Sequence, residues 1–515
     1  ILHVAGGCGA PDPRRCNSLQ HQENIQTERN QRSQSLTANS MITSIAWKNV
    51  WRNKTRSLTV IAAVTVGVFA SVFALAAINS SIVQRIDSAV NEELSHIQIN
   101  TKEFRSSSDI LSTIPESEKV TGILRNTPGV TGVTGRIIVR GLASTPAGSA
   151  GVEITGIDTA AEKEMFTLDR KLIPGTGSYF GAGTRLNSAF IGEKLARELY
   201  IVRYILRPES FTDLSEKGVP PAVAEKLRPL EGVRYSTEKK LTEAYSALLT
   251  AKEIKKYGLL IREAAWSYRE GSRIILSFLD VNGNQTGAAF RISGIYRTNN
   301  DFFEAMSVFV PDEELRKLTG MEDGAYHRLI ARLGEDDLTD RVTPVLKEAL
   351  PGLEVMNWKE IQVDLAMIAD YINQIYAVFM VLILAALSFG IVNTMLMAVL
   401  ERTRELGMLS AVGMNRRRIF MMIMLESVFL SVVGGFAGMA VSGIVIGITG
   451  HTGINLVKYS EGLEAFGYSA HLYPTIGADF FIILTVLIVI TGILSALYPA
   501  RKALQLNPVE ALRGE

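Results

Sequence analysis

Cysteine is nearly missing from this chain. Cys8 and Cys16 both lie in the first 40 residues, and none follows from Met41 to Glu515. That excludes a disulfide framework or a cysteine metal site in the body of the protein. Histidine is equally sparse. The six residues His3, His21, His96, His327, His451 and His471 lack the i, i+3 or i+4 pairing a helical zinc site uses. They read as isolated surface or packing residues. Net charge is also scarce, at +1 over 515 residues, which argues against a nucleic-acid partner. No Gly-x-x-x-x-Gly-Lys-Ser/Thr phosphate loop occurs, and neither a nucleophile elbow nor a paired-histidine motif appears. The residues therefore predict no catalytic group, no metal and no cofactor bound by the chain, and hence not an enzyme.

What the chain does have is charge-free apolar stretches. Leu58 to Ile78 gives 21 residues without a charge, and Ile375 to Leu400 gives 26. Ser427 to Gly450 gives a third run, extended back to Ile419 if Glu426 is tolerated, and Phe480 to Tyr498 a fourth of 19 residues. At ~1.5 Å per helical residue, 20 residues cover the roughly 30 Å of a hydrocarbon core. Four such runs predict four transmembrane α-helices, with spans at 58–78, 375–400, 419–450 and 476–498. A large mixed α+β extracytoplasmic domain fills 79–370, between the first and second spans.

Orientation follows from the basic flanks. Lys48, Arg52, Lys54 and Arg56 precede the first run, and Arg402, Arg404, Arg416, Arg417 and Arg418 stand between the second and third. Arg501, Lys502 and Arg513 follow the fourth, whereas the segment 451–475 carries only Lys458 against Glu461 and Glu464. All three basic flanks then share the cytoplasmic side, and both termini are expected there. Residues 1–40, polar and without an apolar core, are expected to be a disordered tail or a misassigned start. Residues 499–515 form the other cytoplasmic tail, where Asn507, Pro508 and Glu510 suit the start of a short helix.

Within the extracytoplasmic segment, strand-like stretches such as His96 to Asn100 and Gly135 to Arg140 alternate with helical ones such as Glu116 to Arg125. Arg273 to Phe278 and Ala289 to Tyr296 read as an antiparallel pair joined at Asn282-Gly283. Gly181-Ala182-Gly183 lacks the third glycine of a phosphate fingerprint and reads as a plain loop. Residues 201–270 look inserted: they are charged, carry Pro208, Pro220, Pro221 and Pro229, and include a helical stretch from Thr237 to Tyr257. They are expected to form a protruding lobe that engages a periplasmic partner.

Two short segments carry the functional signal. In 401–418, Glu401 and Glu405 sit one turn apart beside the stripe Leu406, Leu409, Val412. Gly413 is placed to stop this helix and Asn415 to cap the next. In 41–57, Trp47, Val50 and Trp51 share one face and Lys48, Arg52 and Arg56 another, as in a helix lying in the membrane interface among lipids. Glu426 is an intramembrane acid, a functional candidate by default. Its place eight residues past Arg418, near the cytoplasmic edge, favours an ion pair with a basic neighbour.

Together with Leu425-Glu426-Ser427, Tyr498-Pro499-Ala500-Arg501-Lys502-Ala503 and Asn507-Pro508-Val509-Glu510-Ala511-Leu512-Arg513, these segments resemble the FtsX/MacB-type permease family, which includes the LolC/LolE lipoprotein-releasing subunits. Thr155-Gly156-Ile157-Asp158 and Ile191-Gly192-Glu193-Lys194-Leu195-Ala196 resemble its outer-domain signposts. The resemblance covers Met41 to Glu515 apart from 201–270. It implies a multi-pass protein of the bacterial inner membrane, paired with a second permease copy, homo- or heterodimeric. Energy would come from a separate cytoplasmic ABC ATPase using ATP and Mg. Carried over, Glu401, Arg402, Arg404, Glu405, Leu406, Leu409 and Gly413 belong to the coupling loop that touches that ATPase. The implied function is extraction or export of a lipoprotein-like, peptide or amphipathic substrate by mechanotransmission. The alternative is an FtsX-like regulator of a cell-wall enzyme, with no transport.

Overall fold

The computed structural model describes residues 41–180, 187–269 and 271–505. The expected tail 1–40, the Gly181-Ala182-Gly183 loop and the terminal Asn507–Glu510 motif lie outside them. Two compact units emerge. One gathers residues up to Ser80, Tyr371–Ile454 and from Tyr473 onward; the other gathers Ser81–Asp370 and Asn455–Leu472.

The first unit is helical. Four helices are long and apolar enough to cross a membrane: Lys54–Leu94, Gln374–Glu401, Arg416–Thr452 and Phe480–Leu504. Each contains one of the charge-free runs, and each is longer than its run. The first α-helix continues to Ser88 and then passes into a π-helical turn, Ala89–Leu94. The second begins at Val363, well before residue 375. Charge-free length marks the part that suits lipid, while backbone hydrogen bonding goes on into polar sequence. The tail expected from residue 499 is corrected in the same way, because the last helix runs through Pro499 to Leu504. Proline there removes one helical hydrogen bond, but Ala496 and Ala500 are fully buried on either side of it.

The second unit is built on a nine-stranded sheet in the order β11-β1-β10-β2-β3-β9-β4-β8-β7, with β2 also pairing β7. The strands are β1 (Ile97–Asn100), β2 (Val130–Ser144), β3 (Ser149–Ile157), β4 (Ser188–Gly192), β7 (Arg273–Leu279), β8 (Gln285–Tyr296), β9 (Ser307–Pro311), β10 (Arg328–Leu333) and β11 (Glu354–Asn357). Because β2 is 15 residues long, its first part meets β10 and its last part meets β7. The strands β2-β3-β9-β4-β8-β7 thereby run in an unbroken ring, which removes their exposed edges. Phe290, Ile191, Ile154 and Leu276 fill one apolar cluster along it. Ile97, Leu124, Leu329 and Leu346 fill a second, around β1, β10 and β11.

The β7–β8 hairpin forms as expected, with Leu279 opposite Gln285. Its turn is wider than a two-residue one. The Asp280 carboxylate accepts the backbone N–H groups of Asn282 and Asn284 at 2.9 and 2.8 Å, and Gly283 supplies a φ of +75°.

Residues 202–268 form a lobe whose ends meet as a short antiparallel pair, β5 (Val202–Tyr204) with β6 (Trp266–Tyr268). Leu206, Leu214, Leu227, Leu241 and Ile261 make an apolar cluster of its own. Its prolines are helix starters: Pro208 and Pro221 each open a helix, where the missing N–H costs nothing. The single helix expected over 237–257 is two, Glu238–Ser246 and Ala251–Ala265. Thr250 caps the second, in a reciprocal pair with Glu253.

Candidate functional site

The loop between the second and third long helices holds a short helix, Thr403–Ala411. Gly413, at φ +97°, lets the chain turn out of it. Asn415 then caps the next helix, its side-chain oxygen accepting the Arg417 N–H at 3.0 Å. Glu405 stands in the first turn, where the helix dipole favours an acid.

Arginines from the helix over 41–52 and from the start of the next hold this loop. The Arg52 guanidinium donates from one nitrogen to both carboxylate oxygens of Glu405, at 2.7 and 2.6 Å. Arg56 pairs with Glu401. Arg402, at the start of the loop, donates to Glu426 at 3.1 Å, and both side chains are largely buried. Glu426 thus has the basic neighbour expected, supplied by Arg402. A cavity of about 360 Å³ lies among these groups, lined by Asn49, Arg52, Met395, Arg402, Leu409 and Glu426.

The apolar stripe divides. Leu406 is buried and Leu409 packs half-buried on the helical core, whereas Val412 is 84% exposed. Met408, which the periodicity did not single out, stands beside it in solvent, and Arg404 is exposed. The face expected along 41–57 divides too. Val50 is fully buried with Ala46, while Trp47 and Trp51 remain about half-exposed. The two indoles meet edge to face at 5.9 Å, and Trp47 meets Phe429 at 5.5 Å. Lys48 is exposed. Sequence reading missed the partners of the loop acids, since Arg52 and Glu405 are 353 positions apart.

Among the described residues, no group of three or more His, Cys, Asp or Glu is placed to hold a metal ion. The β-sheet unit does bury titratable groups. Glu193 accepts from Tyr268 and from Arg197, and Arg297 reaches it at 3.2 Å. Burial pushes Glu193 up, but these bonds and charges overcome it and hold the carboxyl below its usual range. Among the described residues, nearby Glu304 pairs with no cation. Burial raises it to about 7, against the Thr298 N–H that it accepts.

Residues 377–508 match the FtsX-like permease C-terminal family, and this segment holds the loop 401–418, Glu426 and nearly all of the last three long helices. That stretch is similar to an FtsX-like permease domain. An uncharacterized ABC transporter permease of Methanocaldococcus jannaschii is 27% identical over 235 residues, which are 44% of this chain and 55% of that protein. The pyoverdine export ATP-binding/permease protein PvdT of Pseudomonas fluorescens is 40% identical over 126 residues, 24% of this chain and 16% of that protein. The chain therefore spans about half the length of the first relative and a smaller part of the second. The solved extracellular domain of a noncanonic ABC-type transporter, YknZ, from Gram-positive bacteria aligns with 51% of this chain and 99% of that domain, at 12% identity and a TM-score of 0.27. Within 377–508, the Arg402–Glu426 pair links the loop to the third long helix.

Proposed function

We propose that this chain is the permease subunit of an ABC-type transporter, with Thr403–Ala411 as the helix that meets a separate ATPase. The observation that carries the reading is the fixed position of that helix. Arg52 grips its Glu405, Arg56 grips Glu401 just before it and Glu426 grips Arg402, while Met408 and Val412 face solvent. A loop that merely joined two helices would need no such clamps, and exposed apolar side chains on a rigid support suit a protein partner. The relatives' names agree in kind: one is an ABC transporter permease and the other joins an ATP-binding and a permease function.

In this reading the loop lies in the cytoplasm with both termini, as the basic flanks require. The β-sheet unit lies outside the cell membrane of a bacterium. A second permease copy completes the assembly, and ATP with Mg is used by the partner. Cargo is lipoprotein-like, peptide or otherwise amphipathic.

The test is reconstitution with the partner ATPase in lipid nanodiscs, comparing the parent chain with a Met408→Asp, Val412→Asp variant. Both positions are exposed, so folding is unaffected, and ATPase stimulation should fall at least tenfold. Equal stimulation by the variant would overturn the assignment of this helix. Sidedness is checked with an impermeant thiol reagent after replacing Cys8 and Cys16 by serine. Lys239→Cys should label from outside and Ala411→Cys should not.

A further inference from the structure

One face of the sheet carries a concavity of about 680 Å³, within the size range of small-molecule sites. Its floor comes from β2, β3, β9 and β10, and its wall from the helix Asp301–Met306. Arg328 on β10 lies directly opposite Arg136 on β2. Two like charges in register repel, and only one of them is neutralised. Arg136 donates to both oxygens of Glu162 at 2.8 and 2.9 Å and lies over the Phe166 ring at 4.5 Å. Among the described residues Arg328 makes no such hydrogen-bonded pair, and Glu153 attracts it only through space. Its Nε is sealed from solvent and has no hydrogen-bond acceptor among the described residues, a state that normally signals a missing ligand or water. Burial, above all, brings this guanidinium down to about 10, so it is still a cation at neutral pH.

The rest of the lining is of two kinds. Arg140 adds a second positive charge and Glu153, opposite it in register, a negative one. Against them stand Phe302 and Met306, which are 69% and 37% exposed, with Phe303 and Phe309 behind. An apolar wall in open solvent beside an arginine that lacks a hydrogen-bonded acid fits a ligand with both features.

We infer that this concavity binds a single-chain anionic amphiphile, its acyl chain along Phe302 and Met306 and its carboxylate or phosphate head on Arg328. The site is separate from the ATPase-coupling helix and needs no nucleotide, so its failure would leave the proposed function standing, and the reverse holds too.

The experiment uses the full chain in nanodiscs of zwitterionic lipid and a diazirine-bearing fatty acid, with crosslinked peptides located by mass spectrometry. Labelling within 151–155 and 300–309 should saturate with probe concentration. Oleate should compete at least tenfold better than its methyl ester. Arg328→Met should lower labelling there about tenfold, and Phe302→Ser with Met306→Ser should do the same without touching the buried sheet. Competition by lysophosphatidate in place of oleate would identify a phosphate head rather than a carboxylate. Labelling that does not saturate, an ester that competes as well as the acid, or undiminished labelling in the Phe302→Ser, Met306→Ser protein would each overturn the inference.

Discussion

Arg52 and Glu405 meet side chain to side chain at 2.6 Å, although both stand about half in solvent. An exposed pair of this kind contributes only about 0.2–1 kcal/mol to stability. Its value here is geometric: it sets where the helix Thr403–Ala411 rests. Glu405→Arg should therefore leave thermal stability within about 1 kcal/mol while sharply reducing ATPase stimulation. The double variant Arg52→Glu, Glu405→Arg restores the pair with its charges exchanged and should recover most of the activity. A double variant as poor as the single one would mean that Glu405 touches the partner directly.

The Arg402–Glu426 pair should behave in the opposite way. Arg402 and Glu426 side chains are 13% and 9% exposed, so removing one leaves the other charge uncompensated. Breaking a buried pair costs about 3–5 kcal/mol. Glu426→Ala should lower the unfolding temperature of the detergent-purified chain and its level in membranes. Removing both charges as Arg402→Met, Glu426→Met should recover much of the loss. Full transport by that double variant would also show that Glu426 carries no proton or ion.

Glu304 gives a pH signature. Its carboxyl is almost wholly buried and raised to about 7, so the folded protein holds a proton that the unfolded chain releases near its ordinary value of 4.5. Stability contributed by that proton is fully present below pH 4.5, falls as pH rises through the window to about 7, and is absent above it. A shift of this size corresponds to roughly 3 kcal/mol. Glu304→Gln should remove that part of the pH dependence, measured by denaturant unfolding of the sheet-bearing unit's tyrosine and tryptophan fluorescence. An unchanged slope between pH 5 and 7 would show that the carboxyl finds a compensating partner.

The lobe between β5 and β6 is expected to be dispensable for folding. Its apolar cluster is its own, and replacing residues 205–265 by a short Gly-containing turn, which keeps Trp266 and Tyr268 on the main core, should leave the ring of six strands intact. Membrane level and ATPase binding should be normal, and function with the native partner or cargo should be lost. Normal function would make the lobe decorative, and loss of the protein would place it in the folding core.

How much of this was legible beforehand follows from where each signal is stored. A span is written in consecutive residues, and so are the cap at Asn415, the turn at Asn282-Gly283 and the stop at Gly413. All four were readable, although the helix ends were not, because lack of charge reports on lipid and not on hydrogen bonding. Pairings between distant segments left no local trace. Nothing near Val130 says that one strand will serve both β10 and β7, and nothing near Arg328 says that it will face Arg136. The split of the Leu406, Leu409, Val412 stripe was hidden for a related reason. Periodicity tells which residues share a face, but only the neighbours decide how much of that face is covered.

The third long helix carries glycines at positions 434 and 438, one turn apart, against the first. A methyl group placed on Gly434 would come within 2.8 Å of Val64 and 3.0 Å of the Ile61 carbonyl, and one on Gly438 within 2.8 Å of the Thr65 carbonyl. Thr65 also donates its hydroxyl to the Gly434 carbonyl at 3.1 Å. Small residues of this spacing let two backbones touch in lipid. With only Val64 and Val68 of the first helix in the seam, and no side chain on the facing glycines, these two helices are tightly joined along it. Whatever shape change the membrane unit undergoes, they must travel as one plank, and the sliding has to be found at joints where longer side chains provide the slack.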